Sequence, residues 1–355
     1  MATFPSKVNY ATGDILTATN MNDVGGAINA LDGAQWAAGK NKVLNADFGI
    51  WQRGTSITIP NTSVFTYTAD RWGAWRDGSG TIAVTQQTFT PGTAPVAGYE
   101  GQYFFRYNQS VAGTGQTFAS IENRMEDVRL FAGQTITISF WAKADAGTTI
   151  SNGFYQNFGS GGSGSVYSTF VTNVLTTSWQ RFTQTVAVPS IAGKTVGTSS
   201  YFAFAINPGL NTAKVVDIWG VQVEGAQTAS PFQTATGTKQ GELAACQRYY
   251  YRVTGADQYD ILTNLGTAQS TTAALCQLPL KTTMRVSPTS AEYANVLLSP
   301  DNVSSSVAVT SVTLSVLTPD TVQMTFGVAS GLTQFRPYYV HSSLANGYVG
   351  VSAEL

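Results

Sequence analysis

Charge is scarce in this sequence: Lys, Arg, Asp and Glu make up 11% of its 355 residues, against about 25% in ordinary soluble domains. The formal net charge is -1. Phosphate binding needs clustered cations, so a nucleic-acid-binding role is excluded. Two cysteines, Cys246 and Cys276, are too few for a disulfide framework or a zinc site, and two buried free thiols are expected. A single histidine, His341, excludes a multi-histidine metal centre. No apolar run approaches the roughly 18 residues of a membrane-spanning helix. The opening MATFPSKVNY holds no apolar segment of the secretion-signal kind, so folding in a cytoplasm is expected.

Small hydroxyl and amide side chains, glycine and aromatic residues take the place of charge, with aromatics at 12%. Residues 1–41 differ from the rest. Met21, Val24, Ile28 and Leu31 make one helical stripe. Gly25 and Gly26 lie inside it and weaken the helix by about 1 kcal/mol each relative to alanine. So short a helix needs a partner. The stripe is assigned to oligomerisation or attachment: packing about a symmetry axis, docking on a neighbouring protein, or folding back on its own domain.

From Lys42 the period changes to two. In QTITISFWAKA, Ile136, Ile138 and Phe140 share a face opposite Thr135, Thr137 and Ser139. In WQRFTQTVAVP, Phe182, Val186 and Val188 align. In AKVVDIWGVQVEG, Val215, Trp219, Val221 and Val223 alternate with Val216, Ile218 and Gln222. Such alternation predicts half-buried antiparallel strands. Turn-rich stretches, TPGTAPVAGYEG and GSGGSGS, separate them, the latter reading as a flexible loop. The fold class that follows is mainly β, with a jelly-roll or β-sandwich over residues 42–235. Residues 236–252 form a helical linker with Leu243, Cys246 and Tyr250 on one side. Residues 253–355 form a smaller C-terminal β-sandwich, in which a phase change after Val309 places a bulge near Thr310–Ser311.

Catalytic constellations fail one by one. His341 has Ser342 and Ser343 beside it but no nucleophile elbow, and reads as a turn or strand residue. Glu122, Glu126 and Asp127 are interleaved with Arg124 and Arg129, which suits ion pairs rather than a raised general acid. The pattern Gly159, Gly161, Gly164 lacks the acidic residue a dinucleotide site needs. The chain is read as non-enzymatic. Sugar rings stack on exposed aromatic planes, and three loop-like aromatics, Trp75, Tyr155 and Phe158, are the candidate carbohydrate-binding residues. Trp51, Trp72, Trp141 and Trp219 read as core.

Several phrases resemble a known family. NADFGIWQRGTS, YTADRWGAW, IENRMEDVRLFAGQTITISFWAKAD, VDIWGVQVEGAQTASPF and GELAACQRYY, in that order, are similar to the carbohydrate-binding-like modules of phage tail and fibre proteins. FPSKVNYATGDILTATNMND resembles the leading segment of phage minor structural proteins. LPLKTTMRVSPT and the final AEL are also of that kind. The resemblance implies a jelly roll, a virion location, contacts with other virion proteins through the N-terminal segment, and a homotrimer. A structural calcium is conceivable in such sandwiches, with Asn45, Asp47 and Asp217 as oxygen donors; no other cofactor is expected. The favoured expectation is a tail fibre or adhesion protein binding host surface glycans without catalysis. Alternatives are a head fibre or capsid decoration protein, and, last, a glycan depolymerase.

Overall fold

The computed structural model describes residues 39–96, 99–301 and 305–355; the stripe Met21, Val24, Ile28 and Leu31 lies outside them. In the first part the strands are β1 (Ser56–Thr58), β2 (Thr66–Tyr67), β3 (Trp72–Arg76), β4 (Thr81–Thr88), β5 (Tyr103–Val111), β6 (Ala119–Glu126) and β7 (Thr135–Ala144). They continue as β8 (Thr149–Asn157), β9 (Val166–Tyr167), β10 (Val171–Val174), β11 (Gln180–Ala187), β12 (Tyr201–Asn207) and β13 (Lys214–Glu224). Antiparallel pairing sorts them into one sheet ordered β1-β4-β5-β13-β7-β11 and another ordered β10-β8-β12-β6-β3-β2, with β9 added beside β8. The chain passes from sheet to sheet at β5–β6–β7–β8 and again at β11–β12–β13, the connectivity of a jelly roll.

The core lies between the sheets, where Trp72, Phe105, Phe140, Phe154, Phe204 and Ile218 interleave. Strand β12 shows why: Phe202, Phe204 and Ile206 enter this core while Ala203 and Ala205 face the other way. Strand β7 departs from the expected half-burial, since seven of its ten residues in a row are buried. Its outer face is roofed. Trp141 meets Trp219 and Phe232, Tyr99 meets both Trp219 and Phe232, and Thr137 donates to the Ala226 carbonyl. Trp72, Trp141 and Trp219 are buried as expected, and Trp51 is partly so.

Strand β13 corrects the sequence phase. Its register shifts between Trp219 and Gln222, around Gly220 with φ 61°. Val216 and Ile218 therefore join Val221 and Val223 in the core. Asp217, which pairs with Arg106, and Trp219 face outward under the roof. A glycine inside the strand supplies the positive φ of the bulge.

The linker helix α1 (Lys239–Gln247) is capped by Thr238, whose hydroxyl accepts the Gly241 N–H. Its buried face carries Glu242 and Cys246, while Leu243, expected on that face, is 39% exposed. Glu242 accepts N–H bonds from Asn45 and Thr236 at 2.8 and 2.7 Å, and this fastens the helix to the start of the sandwich. Burial raises its carboxyl above the ordinary value despite those donors. Both cysteines are buried and free, and burial pushes the Cys276 thiol up to about 12.

Beyond α1 come β14 (Tyr250–Thr254), β15 (Gly266–Ala268), β16 (Ala273–Pro279), β17 (Ser290–Ala294), β18 (Val296–Ser299), β19 (Val307–Leu317), β20 (Thr321–Val328), β21 (Pro337–Ser342) and β22 (Tyr348–Ser352). Strands β14, β22 and β17 form one open sheet, whereas β15-β16-β20-β19-β18-β21 close into a barrel. Closure follows from β15 and β18 both pairing with β21, so that neither edge is left free. The register shift expected near Thr310 lies between Val309 and Ser311, and a second follows between Leu314 and Leu317. Residues 353–355 then lock onto the sandwich. The Glu354 carboxylate pairs with the buried Arg71 and, at 3.4 Å, with Arg53, and the Leu355 carbonyl accepts the Tyr67 hydroxyl at 2.8 Å.

Candidate functional site

The site is built on the face of the β10-β8-β12-β6-β3-β2 sheet turned away from the core. Register brings its side chains into rows across the strands. Tyr155 of β8 lies opposite Ala203 of β12, which lies opposite Arg124 of β6. One step along, Gly153, Ala205, Glu122 and Gly73 form the next row. Alanine and glycine in the middle columns leave room above the sheet. Large side chains lie down in that room: a Cβ on Gly153 would stand 2.7 Å from the Phe170 ring, and one on Gly73 would stand 2.3 Å from the Phe65 ring.

Glu122 is the hub. Its carboxylate is 2% exposed and accepts the Trp75 indole N–H at 2.7 Å, the Tyr155 hydroxyl at 2.7 Å and the Arg124 guanidinium at 3.1 Å. Arg124 in turn lies over the Phe65 ring at 3.5 Å and faces Tyr201 at 4.9 Å. The cation and the carboxylate are thus paired and hydrogen-bonded, as buried ions must be. Burial and the neighbouring Glu122 charge push the Tyr155 phenol far above its ordinary value, so the hydroxyl stays a neutral donor. Outward from this hub the aromatic surface continues. Tyr167, exposed, stacks on Tyr155 at 5.1 Å, and Phe118, half-buried, meets Trp75 at 5.0 Å.

Beside Phe118 a cavity of about 310 Å3 opens, lined by Thr117, Ser151, Thr172, Asn207 and Leu210 among others. That volume sits at the lower end of the roughly 300–1,000 Å3 usual for ligand sites. Aromatic planes, hydroxyls and one amide therefore share a single face. Such a face can stack sugar C–H surfaces and hydrogen-bond sugar hydroxyls. Among the described residues it has no pair of opposed free carboxylates: Glu122 pairs with Arg124, Glu126 with Arg248 and Asp127 with Arg129. Partial burial works to raise Asp127, but the Arg129 N–H and guanidinium with the Ser200 hydroxyl hold it below the ordinary carboxylate value.

Of the three aromatics singled out from the sequence, two meet here. Trp75 and Tyr155 share Glu122, although both stand on strands rather than loops and Tyr155 is only 5% exposed. Phe158 does not join them. It is 1% exposed, closed over by the Gly/Ser loop, and its carbonyl accepts the Gly197 N–H. The loop itself is pinned rather than loose: Ser160 exchanges backbone bonds with Thr198, and the Ser163 hydroxyl accepts the Thr195 N–H. Glu122, Arg124, Phe118, Tyr167 and Tyr201 were missed as site residues. The phrase YFAFAIN carried the usable signal, because small residues alternating with large ones mark a face that something else covers.

Other expectations resolve as follows. His341 lies on β21, 2% exposed, with Nδ1 2.8 Å from the Tyr259 carbonyl, while the Ser342 hydroxyl donates to the Asp257 carbonyl. No nucleophile–base hydrogen bond joins them. The proposed calcium donors are engaged separately. Asn45 binds backbone of Ile50 and Asp70, Asp47 accepts Tyr99, and Asp217 is held by Arg106 at 2.7 Å and Lys143 at 3.7 Å. Among the described residues no three His, Cys, Asp or Glu side chains gather as a metal site. One ring of inward carbonyls, from Ile59, Gly78, Ser79 and Gly80, is filled by the Arg76 guanidinium. A larger cavity, about 570 Å3, lies between residues 47–52 and α1, but Asp47, Gln52 and Glu242 on its wall already bond within the protein.

No family model and no curated protein matches the chain. Among solved structures, the chain is similar to the enzymatically active domain of bacteriophage CBA120 tailspike protein 4, with 14% identity over 52% of this chain and a TM-score of 0.34. It spans about a fifth of that domain's length, 21%. It is also similar to a family 11 carbohydrate-binding module from Clostridium thermocellum, 12% identical over 49% of this chain and 98% of the module, with a TM-score of 0.31. The N-terminal cellulose-binding domain of Cellulomonas fimi β-1,4-glucanase C matches at 16% identity over 44% of this chain and 90% of that domain, with a TM-score of 0.30.

Proposed function

We propose that this chain is a non-catalytic glycan-binding component of a tailed-phage particle, displayed in several copies. The observation that carries the glycan reading is the outer face centred on Glu122, where Trp75, Tyr155, Tyr167 and Phe118 surround a paired carboxylate and guanidinium beside a hydroxyl-lined cavity. Glu122 orients the two aromatic rings and is spent on them, so it holds the surface rather than attacking a substrate. The phage location is supported by the ordered phrases of the sequence, from NADFGIWQRG to GELAACQRYY. Weak single sites suffice when copies act together, because linkage turns later binding events into intramolecular ones.

A glycan array probed with the full chain tests the reading. Binding is expected, and it should fall at least tenfold in Tyr167→Ala and Trp75→Ala with no release of oligosaccharide from any glycan. Equal binding by wild type and both variants would remove this face from the function. Released oligosaccharide would make the protein an enzyme.

A further inference from the structure

The cavity of about 570 Å3 between residues 47–52 and α1 lies on elements that take no part in the Glu122 face. Its volume falls well inside the roughly 300–1,000 Å3 usual for small-ligand sites. Part of its wall is apolar, made by Ile50, Trp51 and Leu243. The Trp51 indole N–H is spent on the Phe48 carbonyl at 2.8 Å, so its ring offers a ligand apolar surface only. Leu243, 39% exposed, faces it from the helix.

The rest of the wall is polar and incompletely satisfied. Thr234 is 8% exposed, and its hydroxyl makes no hydrogen bond among the described residues. A hydroxyl so placed costs free energy until something bonds it. Gln52 donates through its amide nitrogen to the Asp70 carboxylate and, at 2.8 Å, to the Tyr250 carbonyl, while its amide oxygen accepts nothing among the described residues. Asp47 takes neutral donors, the Tyr99 hydroxyl at 3.0 Å and the Gly49 N–H at 3.3 Å, and a carboxylate has lone pairs for more. Lys239 donates to the Gln102 amide oxygen at 3.2 Å on the same wall.

Each property narrows the ligand. Glu242 is covered on both oxygens by Asn45 and Thr236, and Asp47 is balanced by Lys239, so the cavity calls for no net charge. A purely apolar molecule would strip water from Thr234, Gln52 and Asp47 and return no bonds. Hydroxyls set around an apolar ring face answer both halves of the wall, and that is the chemistry of a sugar. We propose that this cavity binds one neutral sugar residue, the end of a glycan chain, as a second site apart from the Glu122 face. A cavity closes around a chain end, whereas an open sheet face takes a length of chain. The two sites share no residue, so either can fail without the other.

Calorimetric titration of the full chain with glucose, galactose, mannose, N-acetylglucosamine and, as an anionic control, glucuronate tests this. A single ring has few atoms with which to bind, so a millimolar Kd is expected for at least one neutral sugar. Glucuronate should bind at least fivefold more weakly. Leu243→Trp fills the cavity from an exposed position and should abolish binding, with near-ultraviolet circular dichroism showing that the fold is kept. Thr234→Val removes a hydroxyl that bonds nothing in the protein, and should weaken binding at least fivefold while leaving the urea midpoint unchanged. No binding by any neutral sugar, glucuronate binding as well as they do, or unchanged binding in Leu243→Trp would each overturn the proposal. So would binding lost in Tyr167→Ala and kept in Leu243→Trp, which would place the sugar on the Glu122 face. Neutral-sugar binding lost in Leu243→Trp, together with array binding indifferent to Trp75 and Tyr167, would sink the Glu122 reading and leave the cavity standing.

Discussion

The sandwich and the barrel are made from the same alternation of apolar and hydroxyl side chains, yet their outward faces could hardly differ more. Over the sandwich, β6 and β8 carry ions and aromatic rings that lie down on alanines of β12 and bury one another. Over the barrel, β19 and β20 carry threonine, serine, glutamine and glycine outward, with no ion among them. Alternation decides which side of a strand meets the core. The residues on the other side decide what that face carries.

The largest expected effect tests the sandwich half of this contrast. Glu122→Ala leaves the Arg124 guanidinium and the Tyr155 hydroxyl without their acceptor, and should destabilise the chain by about 3–5 kcal/mol. Urea unfolding reads this, and a loss under 1 kcal/mol would mean that the hub is not holding the face. Next, Glu354→Gln weakens the pairing of residues 353–355 with Arg71 and Arg53 and should remove about 2–4 kcal/mol. Calorimetry should then resolve separate transitions for sandwich and barrel. A single unshifted transition would show that the two parts are coupled by other contacts.

Smaller changes sharpen the comparison. Gly153→Ala drives a methyl group into Phe170 and Ser168 and should destabilise by about 1–3 kcal/mol. The matching change on the barrel, Ala273→Ser on its outward face, should lie within about 0.5 kcal/mol of wild type. Equal losses at both sites would erase the distinction between the two outward faces.

The smallest effect is one of pH. Asp77, exposed, accepts the Thr117 hydroxyl and the N–H groups of Thr117 and Phe118, and these bonds hold its carboxyl below the ordinary value. Its folded-state pKa lies below its unfolded one. Its contribution is therefore present above the unfolded value and is lost as pH falls through the depressed one. The stability difference between wild type and Asp77→Asn should accordingly shrink on acidification, and a difference that grows would reverse the assignment.

Much of this was legible along the chain. The strands containing Ile136, Phe182 and Met324 and the bulge near Thr310 follow from period and phase, which are properties of neighbouring residues, and the burial of Trp72 and both cysteines follows from residue type. The phase of β13 was misread because the bulge at Gly220 adds a residue that period counting cannot see. Phe158 was misread because a glycine-rich stretch looks mobile until its backbone finds Thr195 and Thr198. Leu243 was misread because the helix turns its buried face toward Asn45, 197 residues away in sequence terms for the Glu242 contact.

The sequence by itself determined that this is a chain of alternating strands, short of ions. Only tertiary structure decided that Trp75, Glu122 and Tyr155, on three strands far apart in order, would share two carboxylate oxygens. Only tertiary structure decided that β15 and β18 would both pair with β21 and close a barrel. The reason is that alternation specifies which face of a strand is buried, whereas the neighbour across the hydrogen bonds is chosen by packing among distant segments.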